Sequence, residues 1–182
     1  MQQFCANART VADNATASGL SGKSVMNMSL GGGFSPSLNS AINQVEAAGV
    51  VPVVAAGNES QDTVNTSPGS AEAAITVGAI DQRTDRMAVF SNFGELVDVF
   101  APGVDVLSAN STGDSFTAVL DGTSMAAPHV AGLAAYLMAL EGLTGVRAVT
   151  DRIKELAEAS GAGVRGGRSD TTTLIVNNGF TE

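Results

Sequence analysis

Apolar positions along this chain follow two rhythms. Val50-Val51-Pro52-Val53-Val54-Ala55-Ala56 is apolar without a break, and Ala73 to Ile80 is nearly so. Short, β-branched apolar runs predict strands buried on both faces, as in a parallel sheet. Ser24-Val25-Met26-Asn27-Met28-Ser29-Leu30 predicts a further strand, stopped by Gly31-Gly32-Gly33. Between these strands, Leu38, Ala41, Ile42, Val45 and Ala48 recur at helical spacing. Ser35-Pro36 opens that helix and Gly49 closes it. Strand, helix and strand in this order make a βαβ unit, so the expected fold class is α/β, a mostly parallel sheet flanked by helices.

The rest of the pattern is shorter in period. Phe4 to about Asn14 predicts a short amphipathic helix with Phe4, Ala8 and Val11 on one side. Val89–Gly94 and Val97–Gly103 read as short strands and turns, and Val104–Ser108 with Ser115–Val119 as a hairpin. A helix follows through Ala126, Ala127, Val130, Ala131, Leu133, Ala134, Leu137 and Met138. Val146 to Ala159 predicts another, then come a Gly/Arg-rich loop and a terminal strand near Thr173 to Val176. No repeat or boundary divides residues 1–182, which read as a single domain.

Composition narrows the partners more than the fold. Apolar residues make up 44% and charged residues 15%, a balance that favours a packed core over disorder. The net charge is −9, and the Arg and Lys residues are scattered along the sequence. That disfavours nucleic acid or an anionic membrane as partner. No apolar run reaches the length of a membrane span, and no secretory signal is visible at the N-terminus. Cys5 is the one cysteine, so no internal disulfide can form.

Chemistry concentrates in Asp121–Gly132, D-G-T-S-M-A-A-P-H-V-A-G. Gly122 permits an unusual backbone just before Ser124, which sits on the first turn of the helix. A hydroxyl there lies beside free backbone N–H groups and in the positive field of the helix N-terminus, which suits a developing oxyanion. Pro128 is expected in the first turns, where its missing N–H costs least. Read alone, the stretch is also an Ala/Gly-rich buried helix capped by Thr123 or Ser124.

Eleven consecutive residues, Gly122 to Gly132, closely resemble the nucleophile motif of subtilisin-like serine endopeptidases. The resemblance runs from about Val25 to the C-terminus. Ser91-Asn92-Phe93-Gly94, Ala101-Pro102-Gly103-Val104 and Leu133–Met138 look like the proteinase K-like branch. It implies that Ser124 is the nucleophile and that Asn58, in Ala55-Ala56-Gly57-Asn58, donates to the oxyanion; alone, Asn58 would be a turn cap. It implies that Ser29-Leu30-Gly31-Gly32 pairs with a peptide or protein substrate as an added strand. With Ala55, Ala56 and Gly57, this segment would line the primary specificity pocket. A structural calcium at Asp98, with backbone carbonyls near Glu72 and Ala74, is a further implication, against which stands a solvated Asp at a strand end. The branch usually has a cysteine where Ile75 stands.

The family's catalytic Asp and His segments have no counterpart in this sequence. His129, the only histidine, follows Ser124 by five residues and points about 140° away around the helix. By resemblance it is a packing residue. The expectation is a partial subtilisin-like three-layer fold, one incomplete peptidase domain lacking its N-terminal strands, inactive alone. It would be secreted as part of an intact member and completed by a missing N-terminal half. A non-catalytic peptide-binding remnant and a truncated gene product are the alternatives. The Val25–Leu30 strand would then be an open edge prone to association.

Overall fold

The structure, a computed structural model, describes residues 2–180. In chain order the elements begin with α1 (Gln2–Ala17), β1 (Ser24–Met28), β2 (Gly32–Gly33), α2 (Pro36–Ala47) and β3 (Val50–Ala55). A 3₁₀ turn (Thr63–Asn65) leads into β4 (Thr66–Ser67), β5 (Ile75–Asp81), β6 (Arg86–Met87) and β7 (Val99–Pro102). The chain closes with β8 (Val106–Ala109), β9 (Thr117–Leu120), α3 (Thr123–Glu141) and α4 (Val146–Ser160).

The main sheet runs β1-β3-β5, with β7 also parallel to β5 and β6 antiparallel to it. β3 is buried at all six positions, as its unbroken apolar run predicts. Alternate residues serve opposite layers. Val51, Val53 and Ala55 join Ile75, Val77, Val99 and the inner face of α3 and α4 in one core, while Val50 and Val54 pack with residues of α2. Helices therefore cover both faces of a mixed sheet. β1 pairs only with β3, which leaves its other edge without a strand among the described residues.

Local signals set the helix ends. Ser35 caps α2 by accepting from the Leu38 N–H, and Pro36 occupies its first residue. α3 and α4 each end at a left-handed glycine, Gly142 and Gly161. The hairpin forms as β8–β9 with Val106 opposite Leu120.

Four expectations change. α1 extends beyond Asn14 to Ala17 and buries Ala8, Ala12 and Ala15 against Ala41, Val45 and Val50, with Cys5 and Val11 half-buried at the side, while Phe4 stays exposed. Residues 89–94 form no strand. The terminal strand reduces to single bridges at Leu174 and Ile175. Finally, α3 is long and apolar enough by length and composition to cross a membrane. Its small apolar residues are instead the centre of the core, with Ala126, Ala127, Val130 and Ala134 fully buried against the sheet.

Candidate active site

Three segments meet at the C-terminal ends of β1 and β3, where open α/β sheets place their ligands. Ser124 is the second residue of α3, so its backbone N–H has no acceptor within the helix. Gly122 precedes the helix at φ +150°, a conformation that a residue with a Cβ rarely adopts. The expected Gly role therefore holds, and for a conformational rather than a spatial reason.

Asn58 is fastened to this turn by its carbonyl. Its Oδ1 accepts from the Thr123 N–H at 2.8 Å and from the Thr123 hydroxyl at 2.9 Å. The same hydroxyl accepts from the Gly57 N–H at 3.1 Å. With Oδ1 committed to donors, the amide orientation is fixed and its Nδ2 is left as an exposed, preorganised donor beside the start of α3. The Asn58 oxygen thus holds the start of α3 while its nitrogen stays free.

The loop that carries Asn58 is held from below by Asn92, a fully buried amide. Asn92 Oδ1 accepts from the Glu59 and Gln61 N–H groups, and its Nδ2 donates to the Ala56 carbonyl at 2.9 Å and to Glu59 Oε2 at 2.8 Å. Gly57, at φ +107°, passes so close that a Cβ there would overlap the Asn92 amide. Thr123 and Asn92 are the functional residues that the sequence reading missed. Their only signals were adjacency to Ser124 and membership of Ser91-Asn92-Phe93-Gly94.

Ser29 and Ser124 are bonded in both directions. The Ser124 hydroxyl donates to the Ser29 carbonyl at 3.3 Å, and the Ser29 hydroxyl donates to the Ser124 carbonyl at 2.7 Å. The second bond exists because of Pro128. It is the sixth residue of α3, further in than expected, and its missing N–H leaves the Ser124 carbonyl without its helical partner. Ser29 supplies the replacement from the end of β1.

The other sequence candidates divide. Gly31 and Gly57 reach the surface near this corner. Leu30 is half-buried against Met28, Leu38 and Ile42. Ala55 and Ala56 lie in hydrophobic clusters, and the Ala56 carbonyl is already occupied by Thr66 and Asn92. Gly32 and Gly33 pair with β4. His129 is exposed rather than packed, because its place on α3 faces away from the sheet; its ring bonds the Met125 carbonyl through Nδ1 at 2.8 Å. A cleft of about 320 Å³ opens beside Ser124, bordered by Leu107, Met125, Pro128 and His129.

Asp98 lies at the N-terminal end of β7, far along the sheet from Ser124, in a cleft of about 730 Å³ that also carries Glu72, Glu95 and Asp151. Both of its oxygens are used: Oδ1 meets the Lys154 ammonium at 2.7 Å and Oδ2 accepts from the Thr76 N–H at 2.8 Å. Calcium requires six to eight oxygen ligands, roughly, with a carboxylate free to face it. An ammonium at that carboxylate does not fit such a shell, and no group of three or more metal-type side chains forms among the described residues.

Residues 5–173 match the family described as Subtilase family, starting within α1 rather than at Val25. The chain is 57% identical over 135 residues to alkaline protease 1 of Aspergillus flavus, an alignment covering 74% of this chain and 33% of that protein. It is 51% identical over 164 residues to subtilisin-like protease 2 of Pseudogymnoascus destructans, covering 88% and 39% respectively. A cold-adapted subtilisin-like serine proteinase of known crystal structure superposes with a TM-score of 0.79 at 39% identity, over 96% of this chain and 60% of that one. The chain thus spans little more than a third of the length of these curated relatives.

Proposed function

This chain belongs to the subtilase family of serine proteases, and we propose that it carries the nucleophile and oxyanion half of a centre that hydrolyses peptide bonds. Ser124 Oγ attacks the scissile carbonyl carbon. Negative charge then gathers on the carbonyl oxygen, which takes hydrogen bonds from Asn58 Nδ2 and the Ser124 N–H. The exposed backbone at Ser29 to Gly31 pairs with the substrate's extended chain. The observation that carries this reading is the Thr123 tether, which commits Asn58 Oδ1 and leaves its amide nitrogen unspent beside Ser124.

The hydroxyl also needs a base. In this reading an Asp and a His come from a further part of a longer, secreted protein, since the His129 ring is bonded through Nδ1 to the Met125 carbonyl of its own helix, whereas the Ser124 hydroxyl is bonded to the Ser29 carbonyl. The 182 residues alone are expected to hydrolyse no peptide substrate. The test compares hydrolysis of a chromogenic peptide by this chain and by the longer native protein, each with and without Ser124→Ala. Turnover by the longer protein only, abolished by the substitution, supports the reading. Turnover that survives Ser124→Ala in the longer protein overturns it.

A further inference from the structure

The cations that look scattered in the sequence are gathered by the fold. Of nine Lys and Arg residues, Arg86, Arg165 and Arg168 line one cleft of about 450 Å³ with Val89, Gly166 and Gly167, and no carboxylate borders it. In a chain of net charge −9 this is an unusual enclave. Arg83, Arg147, Arg152 and Lys154 all have acidic partners, whereas these three have none within ion-pair distance among the described residues.

The three are also placed rather than free. Arg86 and Arg165 face each other as partners of a parallel bridge, fixed by the Met87 N–H to Arg165 carbonyl and Arg165 N–H to Asp85 carbonyl bonds. Like charges directly across strands repel, so this pairing costs stability unless a counter-charge lies between them. Arg168 stacks on the Phe93 ring at 4.2 Å, which holds its guanidinium flat. Gly166 adjoins the Arg86 guanidinium so closely that a Cβ there would sit 3.3 Å from its Nη2. The loop therefore keeps its backbone low where the guanidinium lies.

We propose that this cleft binds a ligand carrying two or more tetrahedral oxyanion groups, phosphate or sulfate. Planar guanidinium forks take such groups through paired N–H donors, and three forks exceed what a single-charge anion can engage. The proposal is independent of the peptidase reading, because none of these residues touches Ser124 or Asn58.

Calorimetric titration of the 182-residue chain with sodium pyrophosphate at fixed ionic strength tests it. One saturable site is expected, weakened about tenfold or more in Arg165→Gln and in Arg168→Gln, while Arg9→Gln on the far helix α1 leaves it unchanged. Thermal unfolding of each variant checks that the fold persists; the positions are exposed, so the midpoint is expected to hold, or to rise slightly in Arg165→Gln as the like-charge pair is relieved. A parallel titration with a sulfated disaccharide separates the sources: tighter pyrophosphate binding assigns a phosphorylated ligand, and tighter disaccharide binding a sulfated glycan. No saturable binding of either probe, or equal weakening in Arg9→Gln, overturns the proposal.

Discussion

At the C-terminal ends of β1 and β3 amide and hydroxyl side chains, with Glu59 among their partners, are tied to one another and to the backbone; at the N-terminal ends of β5 and β7 the Asp98 carboxylate is ion-paired with Lys154. In the first place Thr123, Asn58 and Asn92 form a chain of hydrogen bonds that closes every buried valence yet leaves one amide nitrogen outward. In the second, Asp98 gives one oxygen to Lys154 and the other to the Thr76 N–H, so a cation would have to share the carboxylate with an ammonium. The first end fixes its donors without consuming them. Preorganisation and saturation look alike in a count of hydrogen bonds, and differ in what remains unspent.

Breaking the neutral end at its deepest point gives the largest effect. Asn92→Ala removes four bonds from a buried site and strands the Glu59 and Gln61 N–H groups, while the Ala56 carbonyl keeps only its bond from Thr66. The expected loss is about 3 kcal/mol of unfolding free energy, read by urea denaturation. A loss below about 1 kcal/mol would mean that the Asn58 loop stands without this support. Thr123→Val keeps the shape but silences the hydroxyl, leaving the Gly57 N–H unpaired. About 2 kcal/mol is expected, and the Asn58 amide should gain rotational freedom visible in NMR relaxation. A rigid amide in that variant would show that the backbone N–H at position 123 tethers Asn58 without the hydroxyl. The smallest effect sharpens the charged end: millimolar calcium should raise thermal stability no more than sodium chloride of equal ionic strength. A calcium-specific gain above about 1 kcal/mol would show Lys154 yielding its place and the comparison failing there.

Much of this was legible beforehand. The buried β3 run, the capped α2, the β8–β9 hairpin and the position of Ser124 all follow from local spacing, which fixes elements reliably when they are long and uniformly apolar. The eleven-residue motif marked the turn that carries Ser124. What could not be read was anything joining distant segments. Asn92 and Thr123 matter through partners 36 and 65 residues away respectively, and neither residue type advertises such a bond. His129, a packing residue by resemblance, is exposed by its place on the outer face of α3. The arginine cleft was invisible for the same reason, since Arg86 and Arg165 become neighbours only across a bridge.

The proline in α3 carries one more consequence. A helix end that uses its own carbonyls can fray without disturbing anything else. Here the first turn is closed by Asn58 on one side and by the Ser29 hydroxyl, 95 residues away in sequence, on the other. Opening that turn must therefore undo contacts with two strand ends at once. The Thr123 amide proton, held by Asn58, should exchange with solvent only through that larger cooperative opening, whereas the unpaired Ser124 amide beside it exchanges freely.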